Sequence, residues 1–314
     1  MRLKMPRLIH ALAGFTALLL ALFATLSPAV SSAVADQPAD NSLFWSVLKD
    51  GRQAGYLLGT IHSEDPRVLD FSEGLLARLR SSQVFAMEMV PDAVTLERLG
   101  GYMKYPQGQS LEAVLGSERF QALESALSAY QVPVAFVQRM KPWAAMMTLS
   151  TPPSDTGFFM DLSLSLRASG NGLEVVGLET LEEQLSFLEN MPLPMQLELL
   201  DLAIAEADRV VEVHDLMVAA YLQNDLSALQ ALSDAQLREV GENARVYFVE
   251  LGIDARNRRM ADGLLKLLGR NTVFAAVGAL HLPGRQGLLE ILRQNGYELS
   301  PLALPLAAGP VNKP

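Results

Sequence analysis

Two stretches of the chain share a local frame: Gly59-Thr60-Ile61-His62 closes the run "YLLGTIH", and Gly278-Ala279-Leu280-His281 closes "VFAAVGALH". Each is an apolar run that reaches a glycine, passes two residues and arrives at a histidine. The 314 residues contain only four histidines. His10 falls in an N-terminal leader, so two of the remaining three occupy this Gly-x-x-His frame. Two other apolar runs, "VFAMEM" and "LEVVGLE", carry carboxylates at their ends, Glu88 and Glu179. A charged carboxylate beside such runs is expensive to bury unless it is paired or binds a cation. Imidazole nitrogens combined with carboxylate oxygens suit Zn, Mn, Co or Fe better than Ca. A divalent ion held that way with an open position activates water at neutral pH.

His62 and His281 are therefore candidate metal ligands, and Glu88 is a candidate third ligand or general base. The alternative for Glu88 is a cap on the following helix. Glu179 precedes "TLEEQ", which opens a helix, so its carboxylate could simply face that helix N-terminus. His214, inside "RVVEVHDLMVAAYL", reads as an ordinary helix residue. Arg256, Arg258 and Arg259 crowd one turn of "DARNRRMADGLLKLL" in an otherwise acidic chain. Helical spacing puts Arg256 and Arg259 on one face and turns Arg258 elsewhere. That face is either a solvated basic stripe or a source of one arginine that holds a carboxylate or steadies developing negative charge.

Such residues need elements to bring them together. "LFWSVLKDGRQAGYLLGTIHS" predicts a hairpin turning at Asp50-Gly51, with its second strand ending at His62. "FSEGLLARLR" predicts an amphipathic helix and "VFAMEM" a strand ending near Glu88. Strand, helix, strand makes a βαβ unit, so these two strands are expected to be parallel neighbours. Helices punctuated by "YPQGQS" and "QVPV" follow, then a helix in "FFMDLSLSLRASG", a strand in "LEVVGLE" and a long helical region broken near "NMPLPMQ" and "QNDLSAL". "TVFAAVGALH", "GRQGLLEILRQNG" and "YELSPL" close the chain as strand, helix, strand. The expected fold class is α/β (α+β), with a central mixed, largely parallel sheet of two pseudo-repeated βαβ halves and a large helical insertion. In open sheets of this kind, sites form at the carboxyl ends of the strands, where His62, Glu88, Glu179 and His281 all lie.

The first 35 residues have a basic start at Arg2, Lys4 and Arg7, an apolar run and "AVA" before Asp36, the pattern of a secretory signal peptide. Residues 36–314 are expected to form a single domain with no stable membrane anchor after cleavage. The formal charge of −10 includes the leader's basic groups, and so acidic a surface argues against nucleic acid as a partner. There is no cysteine, which removes disulfides and thiolate metal sites. Nucleophile-elbow, Walker, dinucleotide-glycine and H-E-x-x-H motifs are absent.

The stretches "LLGTIHSEDPRV", "FAMEM", "KPWAAMM", "GLEVVGLETLEEQLSFLENMP", "DARNRRMADGL" and "FAAVGALHLPGRQGLLEILRQNGYEL" resemble the TraB/GumN family, of the superfamily that includes Tiki, erythromycin-esterase-like and ChaN-like proteins. The resemblance spans nearly all of residues 36–314 in the family's order. It implies a compact α/β fold with two similar halves and a site of His62, His281 and Glu88, for which Arg256 is the best-matching arginine. The expectation is an exported, periplasmic, metal-dependent hydrolase acting on a peptide or small-molecule substrate. Two readings stand beside it. One is a metal-free esterase-like hydrolase with a histidine base. The other is a non-catalytic peptide- or haem-binding protein, in which Tyr56 could ligate haem iron.

Overall fold

The computed structural model describes residues 40–304 and 306; the signal-peptide reading lies outside them. Its centre is one six-stranded sheet in the order β4-β3-β5-β2-β1-β6. The hairpin forms as expected. Strand β1, Phe44–Lys49, pairs antiparallel with β2, Arg52–Thr60, and Asp50 and Gly51 at the turn both have positive φ, 50° and 70°. That is the backbone a two-residue turn matched to the strand twist requires. Helix α1, Glu73–Arg80, is capped by Ser72, which accepts from Leu75 N–H, and leads to β3, Val84–Met87. Helix α2, Met160–Gly170, leads to β4, Glu174–Gly177. A helical region follows, including α3, Leu181–Glu189, α4, Val210–Leu222, α5, Leu226–Glu239, and α6, Ala255–Leu268. Strand β5, Val273–Gly278, helix α7, Leu288–Gln294, and β6, Glu298–Leu302, complete the order.

Pairings β2–β5, β5–β3 and β3–β4 are parallel, whereas β1 runs antiparallel to both β2 and β6. The sheet is therefore mixed and largely parallel. One expectation is corrected: β2 and β3 are not neighbours, because β5 lies between them and pairs with both. All six residues of β5 are buried. An all-apolar strand belongs at the centre of a sheet covered on both faces, and the chain places this one there although it comes fifth of six in sequence.

Burial divides the interior into two apolar clusters. The first covers the sheet and includes Met87, Met160, Leu178, Leu229, Met260 and Phe274. The second gathers the helices between β3 and β5, with Met89, Trp143, Leu181, Leu237 and Phe248 among its members. Glu88 falls between Met87 of one and Met89 of the other, and Glu179 between Leu178 and Leu181. Ser233 and Gln236 lie between Leu229 and Leu237, and Arg256 between Phe248 and Met260. All of these polar residues are buried. Glu88, Glu179 and Arg256 are joined by hydrogen bonds into a polar seam where the two clusters meet, at the carboxyl ends of β3 and β4. Among the described residues no helix is long and apolar enough to cross a membrane.

Candidate active site

Each Gly-x-x-His frame has a local cause. A Cβ on Gly59 would stand 2.8 Å from Leu282 Cδ1 and 3.0 Å from the Ala279 Cα, so the end of β2 reaches the turn after β5 only because residue 59 lacks one. The first frame thus packs against the second. In the second, Gly278 N–H donates to Glu88 Oε1 at 2.8 Å, and a Cβ on Gly278 would sit 3.1 Å from that same oxygen. After Gly278 the chain tightens into a single 3₁₀ turn, Ala279–His281, which directs the histidine back over the strand ends.

His281 is buried and oriented by a neighbour. Asn257 on α6 donates from Nδ2 to the Gln286 carbonyl at 2.9 Å, which fixes the amide and presents its oxygen to the imidazole. That oxygen only accepts, so His281 Nδ1–H donates to Asn257 Oδ1, at 2.6 Å. The lone pair is left on Nε2, which faces Glu88 Oε1 at 3.7 Å. Burial, reinforced by the Arg256 charge, lowers the His281 pKa to about 3. Burial, then His214, does the same for His62, also to about 3. His62 stacks on Phe159 with ring centroids 3.6 Å apart, and neither of its ring nitrogens has a hydrogen-bond partner. Both imidazoles are neutral at pH 7.

Glu88 is buried but well supplied with donors. Its Oε1 accepts from Gly278 N–H, and its Oε2 accepts from Arg256 Nη2 at 2.6 Å and Gln184 Nε2 at 3.3 Å. Arg256 also donates from Nε and Nη2 to Glu179 Oε2, at 2.8 and 2.7 Å. Arg259 Nη2 reaches Glu179 Oε1 at 3.3 Å. Arg256 and Arg259 thus share a face, while Arg258, at an exposed position, reaches Gln286 Oε1 at 3.5 Å. Glu179 does not serve the following helix: Thr180 and Glu183 form a complete capping box there, which leaves Glu179 to the arginines. The two carboxylates hold the Arg256 guanidinium well above the usual arginine range, although burial opposes this.

Three neighbours carried no site role in the sequence reading. His214 on α4 approaches the His62 carbonyl at 3.3 Å; the carbonyl only accepts, so Nε2–H donates. Thr60 Oγ1 donates to Asp161 Oδ1 at 2.6 Å. Burial and the nearby Glu88 charge raise the Asp161 pKa to about 7, against the lowering effect of the Thr60 bond. The signal that could have found Asp161 is a lone carboxylate in the apolar opening of α2, "FFMDLSL". The third neighbour, Glu64, accepts from Ser154 Oγ and from the backbone N–H groups of Asp155, Thr156 and Gly157. It thereby ties the loop that leads to Phe159. Tyr56 is not brought to the site; it packs in mid-strand with Phe44 and Phe274.

The donors can be tested for fit to a divalent ion. His62 and His281 fit: each keeps a lone pair directed by no other bond in the folded protein, and for His281 the Asn257 contact selects the ligating nitrogen, as supporting partners of metal-bound histidines do. Glu88 is less suited, because both of its oxygens are already engaged. Among the described residues no three His, Asp or Glu side chains stand together as a ready-made metal cage.

Two outcomes follow from this geometry. Arg256→Met leaves buried Glu88 without a counter-charge and Glu179 with Arg259 alone, and is expected to cost ~3–5 kcal/mol in urea unfolding; a loss below ~1 kcal/mol would mean that the triad holds nothing. For the pH effect, a histidine whose folded pKa lies near 3 and whose unfolded pKa is near 6.5 takes up a proton on unfolding anywhere between. Stability then falls as pH falls through that window, by ~1.4 kcal/mol per unit for each such group. His62→Phe, measured in chelator, is expected to reduce that slope by about one proton between pH 4 and 6, while keeping the stack on Phe159.

Comparison with known proteins agrees with the architecture. A sequence profile described as the TraB/PrgY/gumN family matches residues 43–301. The chain is 25% identical over 312 residues to metalloprotease TIKI2 of Xenopus tropicalis, covering 82% of this chain and 59% of that protein. It is 24% identical over 320 residues to metalloprotease TIKI1 of Danio rerio, covering 85% and 64%. A metalloprotease TIKI homolog of Amphimedon queenslandica is 24% identical over 341 residues, covering 91% and 66%. The chain thus spans about three fifths of the length of the TIKI2 relative. No solved structure matches it. With the profile covering both Gly-x-x-His frames and every strand between them, the chain belongs to the TraB/PrgY/gumN family.

Proposed function

We propose that the protein is an exported, periplasmic, metal-dependent hydrolase that acts on peptides, with His62 and His281 as metal ligands. The observation that carries this reading is the pair of buried, neutral imidazoles with undirected lone pairs at adjacent strand ends. The similarity to proteins named metalloproteases supports it. A divalent ion held there would lower the pKa of a water and polarise a carbonyl. The chain's own groups supply the rest. Asn257 holds His281 in the tautomer that offers Nε2. Gly278 N–H and Arg256 fix Glu88, whose Oε1 faces His281 and is the nearest carboxylate oxygen to take a proton there. Arg256 balances Glu88 and Glu179 and adds positive potential beside the histidines, where negative charge develops on a carbonyl oxygen under attack. Burial of all these groups excludes bulk water, which strengthens each interaction.

A metal-free hydrolase is the second reading. The approach of His281 Nε2 to Glu88 Oε1, 3.7 Å, favours it, since a small closure would let the pair share a proton.

Elemental analysis of protein purified without chelator or affinity histidines separates the two. Near-stoichiometric Zn, Mn, Co or Fe is expected, lost in a folded His62→Ala/His281→Ala double variant. Peptide hydrolysis is expected to stop in chelator and return with metal. Activity that persists in chelator would sustain the metal-free reading instead. Asn257→Leu is expected to weaken metal affinity by about 10–100-fold, read by competition with a chromophoric chelator; unchanged affinity would remove Asn257 from the site.

A further inference from the structure

His62 is shut away from anything it could act on. Both of its ring nitrogens are buried, and Phe159, itself buried, lies on the imidazole with ring centroids 3.6 Å apart. An ion or a peptide therefore reaches this histidine only after a cover moves. The backbone of His62 is held by regular elements: it follows β2, and helix α4 reaches its carbonyl through His214. Phe159 belongs to something looser. It is the residue before the first turn of α2, with φ −78° and ψ 166°, so its side chain can leave the ring without unwinding the helix.

Ahead of Phe159, residues 151–158 form a strap that joins the helix Pro142–Leu149 to α2. The strap is pinned at two places. Tyr130 Oη donates to the Thr151 carbonyl at 2.6 Å. Farther on, the Glu64 carboxylate accepts from Asp155 N–H at 3.1 Å, Thr156 N–H at 2.9 Å, Gly157 N–H at 2.7 Å and Ser154 Oγ. Gly157 takes a φ of 74°, a bend that residues with a side chain rarely adopt, and Phe158 after it is exposed. Glu64 stands two residues beyond His62, so the segment that carries the covered histidine also carries the group that holds its cover. Asp155 and Thr156 are exposed; released from Glu64, their N–H groups pass to water at little net cost. A cover made of packed helix would have to give up its apolar contacts instead.

We propose that residues 154–159 are the gate of the site, with Phe159 as the stopper on His62 and Glu64 as the latch. This rests on the reading of His62 as a site residue. Opening frees the imidazole for a ligand, and re-forming the Glu64 bonds shuts water out again. Segments that move in this way are drawn from the least stable parts of a fold.

Access to His62 tests the gate without metal or peptide. The full protein, in chelator, is treated with diethyl pyrocarbonate, which acylates a neutral imidazole nitrogen that it can reach, and the modified histidines are identified by peptide mass mapping. A gate exposes little surface, so the rate at His62 is expected to stay level across urea concentrations well below the unfolding transition. Glu64→Gln, which turns one acceptor oxygen into a donor, is expected to raise that rate by at least about ten-fold. Phe159→Ala is expected to raise it as well, and adding Glu64→Gln to Phe159→Ala to change it by less than about two-fold. A rate that climbs with urea in step with global unfolding, or one that Glu64→Gln leaves unchanged, would overturn the gate. A level urea response and a fast Glu64→Gln variant, in a protein that binds no metal and cleaves no peptide, would sustain the gate and overturn the hydrolase reading.

Discussion

The Arg256 guanidinium, buried between Glu88 and Glu179, is the interaction on which the carboxyl ends of β3 and β4 depend, because a buried carboxylate is costly unless a counter-charge and donors meet it. One nitrogen of Arg256 serves both glutamates, at 2.6 and 2.7 Å, and the partners come from three distant parts of the chain. The planar fork suits this better than a lysine ammonium, which is a point charge and carries its hydration more tightly. The same charge acts beyond the triad: with burial, it discourages protonation of His281. A group that stabilises two carboxylates thus also maintains an imidazole as a base. Replacing the whole triad by apolar side chains of equal volume need not unfold the protein, but it would remove the Arg256 charge that reinforces burial in keeping His281 neutral.

The two Gly-x-x-His frames are physically coupled as well as similar. Gly59 admits Ala279 and Leu282 of the second frame, and Gly278 admits the Glu88 carboxylate. Each glycine sets a distance across the strand ends that any side chain would lengthen. The histidines are then fixed by different means, His281 by Asn257 and His62 by a stacked ring. This difference leaves His62 freer to choose which nitrogen it presents.

Much of this is legible in the residues alone. The hairpin followed from Asp50-Gly51, the strand ends from apolar runs that stop at a polar residue, and the shared face of Arg256 and Arg259 from helical spacing. The position of β5 between β2 and β3 was not legible, since local order favours sequential neighbours and only the uniform burial of "VFAAVG" argues for the centre. Nor were the hydrogen bonds of Glu88: a carboxylate at a strand end looks the same in sequence whether it is bare or already satisfied. Asp161 and Glu64 were hidden for the opposite reason, being single acids whose meaning depends on Thr60 and on the loop at 154–157. His214 looked like any helix residue because its contact is to a backbone carbonyl, which leaves no trace in residue type.

The polar seam between the two apolar clusters has a consequence for how such a chain can diverge. Side chains in the sheet-side cluster and in the helical cluster touch the seam only along its borders, at residues such as Met87, Met89, Leu178 and Leu181. Exchanges that conserve volume within either cluster are tolerated at small cost, and they leave the hydrogen-bonded layer where it was. The fold therefore separates the residues that can drift from those that must agree with one another. A lineage built this way can rewrite most of its hydrophobic interior and keep one small polar grammar, spelled by a few residues set far apart along the chain.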